Sequence, residues 1–208
     1  MKLNSKEKLE TYGLEKLLKY LHKDPEVNLK KAIKLARKIS PKAYKEQIDT
    51  IEEAVNDPNH VYHPYIINLL NNIDSDIFDT FVVNFLLNAS LFSEDLKQET
   101  RDKYGCNVPW AILLDPTTAC NLKCKGCWAS EYGKNLNLSF DEIDDIIQQG
   151  KDIGIYMYIF TGGEPLVRKK DILKLALKHN DCEFLFFTNA TLIDDDFAQK
   201  MLELKNLV

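Results

Sequence analysis

Apolar residues recur with a helical period through the first half of the chain and then give way to short continuous runs. Leu14, Leu17, Leu18 and Leu21 make one apolar face, Ala32, Ile33, Leu35, Ala36 and Ile39 a second, and Ile48, Ile51, Ala54 and Val55 a third. Spacings of three and four residues are those of amphipathic helices. Pro25 and Pro41 stand where the second and third helices would begin, positions at which a missing backbone donor costs little. Two further helices are predicted over about 63–73 and 75–90, and a polar one over about 93–103 that Gly105 closes. Beyond that point Trp110–Leu114, Tyr156–Phe160 and Glu183–Phe187 are apolar runs bounded by turn residues, as buried parallel strands are. A capping box, Ser139 with Glu142, opens the helix after the first run, which buries Ile143, Ile146 and Ile147 and ends near Gly150. Helices over about 170–179 and 194–205 follow the other two runs. Strand and helix alternate three times, the pattern of right-handed parallel βαβ units. The expected organisation is an all-α domain over residues 1–105 and an α/β domain over 106–208.

Chemistry concentrates after the first strand. Cys120, Cys124 and Cys127 lie within eight residues, in Thr118-Ala-Cys-Asn-Leu-Lys-Cys-Lys-Gly-Cys-Trp128. Three thiolates at these spacings suffice to hold an iron-sulfur cube by three of its irons and leave the fourth open. An electron-transfer ferredoxin closes its cube with a fourth cysteine, and none follows closely here. Structural zinc, with four cysteines or three and a histidine, is the rival reading; it requires a distant ligand pair, whereas Cys182 and His179 are the next such residues. The second apolar run ends in Thr161-Gly-Gly-Glu-Pro-Leu166. Two glycines there let the backbone approach a ligand with its amides exposed, and Glu164 offers a carboxylate to a ligand ammonium. The position is the carboxyl end of a strand, where α/β sheets and barrels bind their ligands. Thr188 and Asn189, at the end of the third run, are expected on the same rim.

A CxxxCxxC loop followed by a Gly-Gly-Glu-Pro turn at the end of the next strand resembles the radical S-adenosylmethionine (radical SAM) superfamily, over about Pro109 to the chain end. The resemblance implies the first three βα units of a partial (β/α)6 TIM-like barrel. It implies a [4Fe-4S] cluster on Cys120, Cys124 and Cys127, with S-adenosyl-L-methionine chelating the open iron, its methionyl ammonium received by Gly162, Gly163 and Glu164, and Thr161 also in the cofactor site. Reductive cleavage would then yield a 5′-deoxyadenosyl radical that abstracts hydrogen from a peptide or small-molecule substrate, the electron coming from flavodoxin or ferredoxin. Gly126 stands where the family commonly has an adenine-holding aromatic; Trp128 is the alternative stacking surface, or else packs the loop. The other reading of the motif is a zinc or iron-sulfur module that transfers electrons or stabilises structure without catalysis. Three βα units are half the barrel's usual complement, so the chain is expected to be an amino-terminal portion, inactive or weakly active alone.

Composition narrows the partners. The net charge of −5 gives no reason to expect nucleic acid. Residues 1–45 hold 13 Lys and Arg against 5 Asp and Glu, net +8, and residues 46–108 hold 3 against 12, net −9; packing or solvated faces, or a basic surface for an acidic partner, would account for this. The most apolar stretch, Phe78–Phe92, contains Asp79, Asn84 and Asn88 and is shorter than the ~20 residues of a bilayer span, so no membrane association is expected. An odd set of five cysteines with three on one loop argues against a disulfide framework and for the cytoplasm. Cys106 is expected to be a free, partly buried thiol or a fourth ligand in a resting cluster or zinc site, Cys182 to lie in the core, and Lys123 and Lys125 to solvate the loop or guide an acidic electron donor.

Overall fold

The structure is a computed structural model that describes residues 3–39 and 45–208. The reading of Pro41 lies outside the described residues, as do those of the Ala36 and Ile39 side chains. Two compact units divide the chain, Leu3–Asp79 and Thr80–Val208.

The first unit contains α1 (Ser5–Leu21), α2 (Pro25–Ile39), α3 (Lys45–Asn56) and α4 (His63–Asn72), and α5 (Ser75–Val82) runs across the division. Asn4 opens α1 with a capping box: its Oδ1 accepts from the amides of Lys6 and Glu7, and the Glu7 carboxylate accepts from the Asn4 amide at 2.7 Å. This satisfies amides that a helix start otherwise leaves without partners. Leu18, Leu21, Leu29, Ala32, Ile33, Ala54, Val55 and Leu70 are buried. Leu35 and Ile51, expected on apolar faces, are each 46% exposed. Leu35 is two residues beyond Ile33 and so points to the far side of a helix with 3.6 residues per turn. The burial of α3 is confined to Ala54 and Val55 in its last turn, leaving Ile51 outside.

In the second unit a π-helical segment, Val83–Phe92, continues α5 and leads to α6 (Glu94–Tyr104), which ends at Gly105 in the left-handed conformation, φ 64°. Three strands follow, β1 (Ile112–Leu114), β2 (Met157–Phe160) and β3 (Glu183–Phe186), alternating with α7 (Phe140–Asp152), α8 (Lys169–Lys178) and α9 (Asp195–Leu204). The sheet is parallel in the order β1-β2-β3, with Leu114 opposite Phe160 and Phe160 opposite Phe186. One face carries Leu114, Tyr158, Phe160 and Phe184 into the core with Ile143 and Ile147 of α7 and Ile172 and Leu175 of α8. Stacked rings of Tyr158, Phe184, Phe160 and Phe186 run across it at centroid distances of 5.6–5.8 Å. On the other face Leu113 is 58% exposed, and Phe187, just past β3, is 59% exposed. Asn206–Val208 extend the ladder: Leu207 makes a parallel bridge to Phe184, and the Val208 amide donates to the Phe184 carbonyl at 2.9 Å.

The unit that holds the sheet begins at Thr80, ahead of the change of period at 105. Helical residues before 105 are tied to the sheet by buried amides. Asn84 Nδ2 donates to the Cys182 carbonyl at 3.2 Å and to Glu183 Oε2 at 3.1 Å, and Asn88 Nδ2 to the Asp181 carbonyl at 3.1 Å. Periodicity reports the local backbone and is silent on which core a helix joins. Among the described residues no helix is long and apolar enough to cross a membrane.

Candidate metal centre

The cysteine loop is an excursion pinned at its base. After β1, Thr117 is buried; its hydroxyl donates to Asn137 Oδ1 at 2.6 Å and accepts from the Ala119 amide at 3.0 Å. The Thr118 amide donates to the Leu136 carbonyl at 2.9 Å, and Leu138 to Pro116 at 3.2 Å, so that the two ends of the loop lie side by side. From the neighbouring strand, the Gly163 amide donates to the Thr117 carbonyl at 3.0 Å and the Glu164 amide to the Ala119 carbonyl at 2.8 Å. These amides are therefore engaged, contrary to the expectation that the turn would expose them. Glycine is required for another reason: a Cβ at Gly163 would lie 2.3 Å from the Ala119 carbonyl oxygen, and one at Gly162, where φ is 101°, 2.7 Å from that of Thr117. The two glycines let the second rim turn lie directly against the stem of the cysteine loop.

Glu164 completes the joint. It is 1% exposed, and its carboxylate accepts from the Leu166 amide at 2.9 Å, the Thr188 hydroxyl at 2.7 Å and the Asn189 amide at 2.9 Å. Both oxygens thus brace the turn against the end of β3. Asn189 Nδ2 donates to Asn121 Oδ1 at 3.0 Å and lies 4.0 Å from Cys120 Sγ, while Asn121 Nδ2 donates to Thr191 Oγ1 at 2.7 Å. Ala190, in the same turn, holds φ at 61°, a conformation that costs a residue with a Cβ about 1–2 kcal/mol.

Cys120, Cys124 and Cys127 line one cleft of about 370 Å³ together with Thr118, Lys134 and Gly163. The Leu122 amide donates to Cys120 Sγ at 3.4 Å. The Cys127 amide donates to the Cys124 carbonyl at 3.4 Å across a turn in which Gly126 has φ 73°. That geometry accounts for glycine where an aromatic was expected. Lys134 Nζ donates to the Cys120 carbonyl at 2.8 Å. Thr188 and Asn189 join the loop through Glu164 and Asn121, whereas Thr161, whose amide donates to the Leu114 carbonyl at 3.1 Å, and Trp128, 60% exposed and edge-on to Tyr132, are not among the residues lining the cleft.

Among the described residues no three Cys, His, Asp or Glu side chains form a group that would hold a single metal ion. The soft donor set suits iron-sulfur chemistry. Cys106 is exposed; Cys182 is fully buried at the opposite end of β3, and burial pushes its thiol well above the ordinary range. Sequence reasoning missed Thr117, Asn137, Asn121 and Lys134, polar loop residues without periodicity to mark them. It also missed Asp115, directly after β1, whose Oδ1 is buried without a hydrogen-bond partner.

The fold and site define an α/β protein with a thiol-lined cleft at the carboxyl ends of its parallel strands. Residues 114–208 match the Radical SAM superfamily. Members of that superfamily use a [4Fe-4S] cluster and S-adenosyl-L-methionine. Similar proteins include a GTP 3′,8-cyclase of Clostridium perfringens, 28% identical over 109 residues, which are 50% of this chain and 33% of the relative. An Fe-coproporphyrin III synthase of Methanosarcina barkeri is 33% identical over 96 residues, 44% of this chain and 24% of the relative. An AdoMet-dependent heme synthase of Nitratidesulfovibrio vulgaris is 34% identical over 94 residues, 43% of this chain and 25% of the relative. The chain spans about a quarter to a third of the length of the curated relatives it matches. No solved structure is a significant match.

Proposed function

We propose that the protein is a radical SAM enzyme in which Cys120, Cys124 and Cys127 hold three irons of a [4Fe-4S] cluster. The observation that carries this reading is the single cleft shared by the three cysteines and Gly163 of the neighbouring strand's turn. When bound, the cluster supplies the electron that splits the sulfonium of S-adenosyl-L-methionine into methionine and a 5′-deoxyadenosyl radical able to abstract hydrogen from substrate. The chain's own residues set the geometry for that chemistry. The Leu122 amide helps to orient the Cys120 sulfur. The turn at Gly162, Gly163 and Glu164 reaches the cleft through Gly163, and a ligand ammonium would need peptide carbonyls there as acceptors, the Gly163 and Glu164 amides being engaged. Thr161, Thr188 and Asn189 keep that turn in register with β1 and β3, and Trp128 offers an exposed ring for adenine.

The sheet order and the Phe184–Leu207 bridge support reading the three βα units as part of a (β/α)6 barrel. A flavodoxin or ferredoxin would serve as reductant. For the substrate, a cofactor-type small molecule is favoured over a peptide by the names of the relatives, GTP 3′,8-cyclase and AdoMet-dependent heme synthase. Anaerobic reconstitution with iron and sulfide tests the core of the proposal. The expected result is a brown protein whose cluster spectrum shifts on adding S-adenosyl-L-methionine, with both properties lost in a Cys120→Ala, Cys124→Ala, Cys127→Ala variant. Stoichiometric zinc without iron uptake would overturn it in favour of a non-catalytic metal module.

A further inference from the structure

Lys134 lies seven residues beyond the last cysteine, in a stretch where a lysine reads as a solvated loop charge. Folding carries it back to the start of the loop, where its ammonium donates to the Cys120 carbonyl at 2.8 Å and borders the same cleft as the three thiols. The hydrogen bond fixes the charge in position. Lys123 also lines this cleft, and no Asp or Glu does so among the described residues. The other groups directed at Cys120 are donors too: the Leu122 amide at 3.4 Å from Sγ and the Asn189 amide nitrogen at 4.0 Å. Cys120 therefore has donors at both its sulfur and its carbonyl, one of them a lysine ammonium.

We infer that Lys134 is a positioning residue for cluster reduction, its tethered ammonium offsetting the negative charge that the thiolate-bound cluster gains with each added electron. The inference rests on the proposed ligation by Cys120, Cys124 and Cys127. The step is a one-electron transfer from the external flavodoxin- or ferredoxin-class donor; no bond breaks and no proton moves. A positive charge near the reduced form lowers its energy by Coulomb attraction, more strongly in a cleft than in open water, and hydrogen bonding and net charge are established levers on cluster potential.

The test compares wild-type protein with Lys134→Gln and Lys134→Arg, all reconstituted anaerobically. Glutamine keeps a donor for the Cys120 carbonyl but loses the charge, and arginine keeps both. Iron and sulfide are assayed per chain, and the midpoint potential is read by EPR-monitored redox titration without S-adenosyl-L-methionine. The expected result is equal cluster content, with the reduction equilibrium of Lys134→Gln about tenfold less favourable, about 59 mV more negative for a one-electron couple, and Lys134→Arg at the wild-type potential. Cluster loss in Lys134→Gln with retention in Lys134→Arg supports the same conclusion, because the two variants differ in charge and not in their capacity to donate. An unmoved potential in Lys134→Gln overturns the inference, as does an equal shift or equal loss in both variants. Failure of the wild-type protein to take up iron instead removes the ligation reading beneath it.

Discussion

At the scale of the residue, the two glycines of the rim turn and the glycine of the cysteine loop answer different demands. Gly163 is confined by backbone, since its Cβ would meet the carbonyl oxygens of Ala119 at 2.3 Å and Thr118 at 2.6 Å, and rigid peptide atoms yield little. Gly126 has nothing within 4 Å of a built Cβ, and only its φ of 73° favours glycine. Gly163→Ala is therefore expected to part β2's turn from the cysteine loop, at a cost of about 1–3 kcal/mol for overpacking and with a fall in iron bound per chain. Gly126→Ala should cost about 1–2 kcal/mol for the left-handed conformation and leave the cleft able to bind iron. Urea unfolding and iron assay of the two variants check this; a Gly163→Ala protein as stable as wild type would contradict the close approach.

At the scale of the element, the π-helical segment is held to the sheet by a buried carboxyl. Glu183 at the start of β3 is fully buried; Asn84 donates to Oε2, while Oε1 has no partner. Burial pushes its pKa up from 4.5 to about 8, with the Asn84 bond only partly opposing the shift. The folded chain thus retains a proton that the unfolded chain gives up near pH 4.5. Between these two pH values Glu183 binds more protons in the native state than in the unfolded state, so its own contribution to stability is fully present below 4.5, declines as pH rises toward about 8 and levels off above it. Glu183→Gln keeps the shape and removes the titration. Urea unfolding at pH 5 and pH 8 should show a smaller loss for this variant than for wild type, by an amount on the order of a few kcal/mol; identical losses would exclude Glu183 as the source. The sequence pattern predicts a helix over about 75–90 but not the π character of Val83–Phe92 or its role, because a π turn differs from an α turn only in the offset of its hydrogen bonds.

At the scale of the whole molecule, what could be read in advance was what local rules determine. The Ser139–Glu142 capping box forms as expected, with both reciprocal bonds at the start of α7, and the three apolar runs become three parallel strands. The three cysteines share a cleft. Less legible were features created by distant segments meeting: Glu164 bound by Thr188 and Asn189, Lys134 returning to Cys120, and the joining of Asn84 and Asn88 to the start of β3. The last has a testable consequence. A chain starting at Thr80 keeps Asn84 and Asn88 on the carbonyls of Asp181 and Cys182, and keeps the Lys97 ammonium, itself buried, on the Ala89 carbonyl. A chain starting at Cys106 loses all of these and leaves the inner end of β3 with exposed carbonyls and an unpartnered Glu183. A buried polar group left without a partner costs about 1–3 kcal/mol, and several are stripped at once. The Thr80 chain is therefore expected to be soluble and to bind as much iron per chain as the full-length protein, while the Cys106 chain aggregates or melts at a markedly lower temperature. Equal melting temperatures for the two would return the boundary to 105, where the hydrophobic period alone had put it.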